Sequence, residues 1–283
     1  MRTLLTTCAL ALVVTGCSAD GQTRAVDPSA PGESSGSETL RPDADAAPEP
    51  VPDGLVSTGG LATVLDDGDG PELCLGPVAE SSPPQCGGIA LAGFDFGDVG
   101  AEQAAGVTWG TYALTGTYDG TTFTVTRSIP AALYDTVVPP QGEPLAAACT
   151  DPEAPDPSRA TSQDLDAVLN AASALPGYAL AWLTDDTVNV AVTEDAAGAE
   201  RTLRDSWGGP LCVTEVERSE VELNEVNTAL QEALGEQLLT SGSYGPDTLD
   251  AQVVFDDGSI QEWADATYGE GVVQVESTLQ PAA

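Results

Sequence analysis

The sequence predicts an α+β chain in which a small β-barrel-like, OB-like domain is followed by a pseudo-repeated αββαβ domain of ferredoxin-like order. Three observations predict it. Around Asp119-Gly120 apolar and polar residues alternate with a period of two, as a half-buried hairpin requires. Beyond residue 160 the pattern helix, strand, strand, helix, strand occurs twice, at a spacing of 61 residues without gaps. Between these regions lies an acidic, proline-rich joint, Thr150-Asp151-Pro152-Glu153-Ala154-Pro155-Asp156-Pro157, which divides the globular part in two.

The chain opens with Arg2 and an apolar run from Thr3 to Val14. That run is too short to span a bilayer, which takes about 20 apolar residues, and has the length of a secretory leader, so residues 1–16 read as a signal peptide. Val14-Thr15-Gly16-Cys17, followed by Ser18, resembles the lipobox of bacterial lipoproteins. The resemblance implies that the Cys17 sulfur takes a diacylglyceryl group and that the preceding peptide is removed. Two acyl chains anchor durably, so the expected location is the outer face of the plasma membrane. The competing reading is cleavage after Ala19, which leaves a free exported protein and makes Cys8 and Cys17 incidental. Residues 17–53 are rich in Pro, Ser, Gly, Ala, Asp and Glu and nearly free of large apolar side chains, so they read as a lipidated, disordered tether. As a flexible coil of about 35 residues, it would hold its ends about 30 to 35 Å apart.

Residues 54–149 read as the β domain. A two-residue turn at Asp119-Gly120 would set Tyr118 opposite Thr121, Gly116 opposite Phe123 and Leu114 opposite Val125. Tyr112, Leu114, Tyr118, Phe123 and Val125 would then share the core face, leaving Ala113, Thr115, Thr117, Thr122, Thr124 and Thr126 on the wet one. With strands at Leu61 to Leu65 and Leu73 to Leu75, this suits a closed or partly closed barrel. An OB-like shape carries no binding function with it.

After the joint at 150–160, residues 161–283 hold the repeat. Thr161 to Asp164 and Ser219 to Glu222 open helices whose apolar stripes are Leu165, Val168, Leu169, Ala172 and Leu175 in one copy and Val226, Ala229, Leu230 and Ala233 in the other. Strand pairs follow at 178–183 with 187–193 and at 238–244 with 248–255. Short helices stop at Trp207-Gly208 and Tyr268-Gly269, and strands close each unit at 211–216 and 272–276. Lending the strand at 211–216 to the second copy gives it the β-α-β-β-α-β order of a ferredoxin-like unit.

Composition excludes much chemistry. The 283 residues carry 45 acidic and 8 basic side chains, all of the latter arginine, and the formal charge is −37. Such a surface repels nucleic acid and acidic headgroups and attracts cationic partners; it also keeps an exported protein soluble. Without His or Lys there is no Ser-His-Asp or Cys-His base, no lysine Schiff base, no nucleotide loop ending in Lys and no histidine zinc site. Carboxylate chemistry survives, as a glycosidase-like acid and base or a calcium or magnesium site, yet with 45 carboxylates pairs arise by chance. No catalytic residue, cofactor or metal ligand is assigned.

Four cysteines remain after Cys8 and Cys17, an even number that favours disulfides in an exported chain, with three possible connectivities. Cys74 with Cys86, bracketing a proline-rich loop, and Cys149 with Cys212, clamping the joint, are the favoured pairs; a four-thiolate zinc site lacks any Cys-x2-Cys spacing. Asp66-Asp67-Gly68-Asp69-Gly70 lacks the glycine and glutamate spacing of an EF-hand and reads as a solvated turn, and Asp256-Asp257-Gly258-Ser259 as a strand end entering a helix cap. Trp109, Trp182, Trp207 and Trp263 read as core anchors before ligand-lining rings.

Leu73-Cys74-Leu75-Gly76 with Pro83-Pro84-Gln85-Cys86-Gly87-Gly88, Trp109-Gly110-Thr111-Tyr112 with Tyr118-Asp119-Gly120, and Trp207-Gly208-Gly209-Pro210-Leu211-Cys212-Val213 together resemble a family of uncharacterised actinobacterial exported lipoproteins. The end, Tyr268-Gly269-Glu270-Gly271-Val272-Val273, is similar as well, with Glu270 in place of an expected proline. The likeness implies an envelope location and paired cysteines and brings no activity. The expectation is a membrane-anchored, non-enzymatic binding module that meets an envelope protein or a cationic ligand and no nucleic acid. The competing expectation is a carboxylate-based hydrolase or divalent-metal binder.

Overall fold

The strands of the first half are β1 (Val56–Ser57), β2 (Ala62–Asp66), β3 (Glu72–Cys74), β4 (Ile89–Ala92), β5 (Ala101–Ala104), β6 (Val107–Tyr118) and β7 (Thr122–Pro130). They come from a computed structural model that describes residues 46–97, 100–134 and 144–282. Strands β6, β2, β3, β4 and β7 are hydrogen-bonded in that order, and β7 returns to β6, so the five close into a barrel. Closure leaves those strands no free edge. Their pairings are antiparallel except β4 with β7, which run parallel. β1 and β2 both lie along β6 as one strand interrupted around Gly59, whose backbone is left-handed at φ 66°.

The β6–β7 hairpin differs from its expected register. Tyr118 lies opposite Phe123 and Gly116 opposite Val125, so the loop spans Asp119 to Thr122. Asp119 is the reason: its Oδ1 accepts from the backbone N–H of Thr121 and Thr122 and from the Thr121 hydroxyl, which closes a wider turn than the two-residue one. A slip of two residues preserves which face each side chain takes. Tyr112, Leu114, Tyr118 and Phe123 are buried accordingly, and Val125 is half-buried. A bulge beyond Gly116 then sets Leu114 opposite Ser128. Gly116 is required there, because a Cβ would be driven into the Thr124 carbonyl.

The second half runs α1 (Ser162–Ser173), β8 (Tyr178–Thr184), β9 (Thr187–Val192), α2 (Ala196–Arg204), β10 (Leu211–Glu215), then α3 (Glu220–Leu234), β11 (Leu238–Gly245), β12 (Thr248–Val253), α4 (Ser259–Tyr268) and β13 (Val273–Ser277), and ends with β14 (Gln280–Pro281). Each αββαβ stretch forms its own three-stranded sheet, β10-β9-β8 and β11-β12-β13, with an antiparallel hairpin and a parallel third strand. Both long helices start at capping boxes: Thr161 and Asp164 exchange bonds, as do Ser219 and Glu222. Val168 and Ala172 are the buried positions of the α1 stripe; the α3 stripe needs correction, since its buried positions are Leu223, Leu230 and Leu234, with Val226 half-buried and Ala229 and Ala233 exposed.

The ferredoxin-like expectation needs correction at one strand. β10 bonds to β9 and does not join the second sheet, so the six-element unit obtained by lending it is not formed. The place beside β12 that the borrowed strand would take is filled in parallel by β13.

The two halves share a core. Val254, Phe255 and Leu279 pack with Val64, Leu73, Tyr112, Leu114 and Phe123 of the barrel, and Leu239 lies against them. β14 then pairs with β1, Val56 opposite Pro281 and Ser57 opposite Gln280, which adds the end of the chain to the barrel sheet. The body also begins before Gly54: Ala47 packs on the core of the second αββαβ unit, and Gln237 donates to the Pro48 carbonyl.

Candidate functional site

Cys74 is bonded to Cys86 and Cys149 to Cys212, with Cα atoms 5.9 and 5.7 Å apart. The first bond closes the loop between β3 and β4 of the barrel. The second holds the exposed end of the segment 144–149 against β10. That segment is also bonded to β8 and β9: the Trp182 indole donates to the Ala146 carbonyl, the Thr184 hydroxyl to the Leu145 carbonyl, and the Ala148 N–H to Asn189 Oδ1 at 2.8 Å. Asn189 is fully buried, and its amide nitrogen donates to Trp182, Thr184 and Thr187, so its polar atoms are satisfied. Cys17, the expected lipid site, lies outside the described residues, as do the leader and residues 17–45 of the tether.

The joint continues onto the second half through the Trp207-Gly208 motif. Gly208 exchanges backbone bonds with Asp156 and Arg159, and the Trp207 indole donates to Pro210. Arg204 reaches the carbonyls of Gly209 and Glu153 and pairs with Glu200 at 3.3 Å; Arg159 bonds the Asp205 carbonyl. These arginines thus act as ties between joint and body.

The remaining motifs resolve as follows. In the Asp66 to Gly70 turn, Asp66 Oδ1 accepts from Gly68 and Gly70, a self-contained loop. Asp256 and Asp257 accept from Ile260 and Ser259 and cap α4. Among the described residues no group of three or more Cys, Asp or Glu side chains is placed to hold a metal ion. Trp207 is buried in a core; Trp263 packs edge-on to Tyr268 at 5.6 Å beside another; Trp109 and Trp182 are half-buried strand residues.

One concave surface has unspent polar capacity. The outer face of β11–β13 carries Thr240 and Tyr244 from β11, Asp250 and Gln252 from β12, and Gln274 and Glu276 from β13, around a depression of about 390 Å3. Strand alternation produces it: Leu249, Ala251 and Val253 turn inward to the helices, so Asp250 and Gln252 turn outward. Register sets Asp250 beside Gln274 and Gln252 beside Glu276, with Gly242 next to Asp250 on the third strand. No side chain among Tyr244, Asp250, Gln252, Gln274 and Glu276 makes a hydrogen bond within the described protein. Partial burial pushes the Asp250 carboxyl above the ordinary aspartate range. By contrast, Asp119, Asp164, Glu222 and Asp257 are held below the carboxylate range by hydrogen bonds to Thr122, Thr161, Ser219 and Ser259.

Sequence reasoning missed this face, although the alternation Leu249-Asp250-Ala251-Gln252-Val253 beside Val273-Gln274-Val275-Glu276 signals it. What the sequence withholds is that these two strands are neighbours. No helix among the described residues is long and apolar enough to cross a membrane. The two disulfides are consistent with an extracytoplasmic protein. No protein family model, no curated protein and no solved structure matches this chain.

Proposed function

We propose that this protein is a cell-envelope lipoprotein, anchored through Cys17 to the outer face of the plasma membrane, and that its folded body is a non-enzymatic binding module. The observation that carries the binding reading is the depression on β11–β13, which five polar side chains line with no partner among the described residues. Asp250 and Gln252 are half-buried without a partner, where such groups ordinarily find one, and the exposed Tyr244, Gln274 and Glu276 surround them, which suits a partner from outside. The anchoring reading rests on Val14-Thr15-Gly16-Cys17 behind its short apolar run, and on disulfides that suit an oxidising compartment. The barrel is read as OB-like on its five strands and the parallel closure of β4 with β7.

The test uses a photoreactive residue in place of Gln274 in the full chain on its own membrane, with Val221, exposed on α3, substituted as the control. A discrete cross-linked product from position 274 and none from 221 is expected. Equal or absent cross-linking at the two positions contradicts the binding reading, and release of the unsubstituted protein into the medium contradicts the anchor.

A further inference from the structure

We propose that the outer face of β11–β13 receives the guanidinium group of an arginine side chain presented by a protein partner, an occupant that rests on the binding reading above. The register makes a two-by-two lattice: Asp250 and Gln274 in one row, Gln252 and Glu276 in the next. The carboxylates therefore occupy one diagonal and the amides the other. From the spacing of strands and of residues along them, the two acids stand about 8 Å apart at their Cα atoms.

A guanidinium is planar, carries five N–H donors in a fixed fork and accepts nothing. It thus matches a flat array in which every group can present an oxygen: two carboxylates and, with their amides turned oxygen-inward, two glutamines. A lysine ammonium gathers its donors at one point, whereas the guanidinium spreads five over a plane, which suits groups set across a diagonal. The Tyr244 ring, 71% exposed at the rim, offers a face for the guanidinium to stack on. Among the described residues the lining holds no cationic side chain, and the chain as a whole carries −37, so an arriving cation is steered toward the surface. Burial has also partly desolvated Asp250; a cation placed beside it compensates that cost, where a neutral ligand would not.

The experiment titrates the 15N-labelled full chain with acetyl-Gly-Arg-Gly-amide and, in parallel, with acetyl-Gly-Lys-Gly-amide and cellotetraose, following backbone and glutamine side-chain amide resonances. The arginine peptide is expected to shift Thr240, Asp250, Gln252 and Gln274, and to bind at least about threefold more tightly than the lysine peptide. The double variant D250N/E276Q is expected to weaken it by about tenfold or more. Tyr244→Ala, at an exposed position, supplies a second test should the double variant misfold, with a loss of about threefold expected. Equal response to both cations, an undiminished response in D250N/E276Q, or cellotetraose shifting the same resonances would overturn the proposal. If the peptides fail while cross-links from position 274 persist, the face binds something else; loss of both removes the binding reading itself.

Discussion

Gly208 shows how one residue without a side chain fastens the joint to the body. Its backbone bonds Asp156 and Arg159 on both sides, and a Cβ would be forced into the Asp156 carbonyl. Gly208→Ala is therefore expected to lower stability by about 1 to 3 kcal/mol, the cost of overpacking, measured by denaturant unfolding. An unchanged midpoint would show that the joint is not held by this contact. Neighbouring Trp207, 5% exposed, fills the core beneath, so the aromatic-glycine pair serves packing and close approach at once. The capping pairs act at the same scale. Asp164 and Glu222 are held below the carboxylate range by Thr161 and Ser219, so their contribution is present above the unfolded-state pKa and is lost as pH falls through the folded one.

At the scale of elements, the disulfides constrain loops of very different length. A separation of 12 residues between Cys74 and Cys86 is worth about 3 kcal/mol in chain entropy, and 63 between Cys149 and Cys212 about 4 kcal/mol. Replacing each pair by serine should lower the unfolding free energy in that order, with Cys149→Ser/Cys212→Ser the more costly. The reverse order would mean that the bonds of Asn189, Trp182 and Thr184 already hold the segment without it. The helix starts were legible in the sequence because capping residues are local signals, as at Thr161 and Ser219, whereas the α3 stripe was legible only in part, since small Ala229 and Ala233 face outward and Leu223 and Leu234 supply the core. The hairpin was legible in its faces and not in its register, since Asp119 closes a wider loop through side-chain bonds that alternation does not encode. Strand partnership was the least legible. β13 beside β12, and β14 beside β1, depend on contacts distant in sequence, and the depression on β11–β13 exists only through the first of them.

Over the whole molecule, net charge and shared packing dominate. With a formal charge of −37 over the full chain, proton uptake relieves self-repulsion, and the Asp250 carboxyl, raised by burial, favours the fold while protonated. The capping carboxylates act in the opposite sense at lower pH. The melting temperature should therefore rise as pH falls from neutrality and drop again once the capping carboxylates take up protons, and added salt should raise it at pH 7. A curve falling steadily from neutrality would contradict this balance. The barrel core takes in Val254, Phe255 and Leu279 from the second half, and the segment at Ala47 and Pro48 is seated on the same body. In the proposed reading Cys17 ties this body to the membrane. Mass spectrometry of the native protein's first peptide decides this: a chain beginning at Cys17 with a diacylglyceryl thioether is expected, and a bare Cys17 thiol or a start beyond it would overturn the anchor.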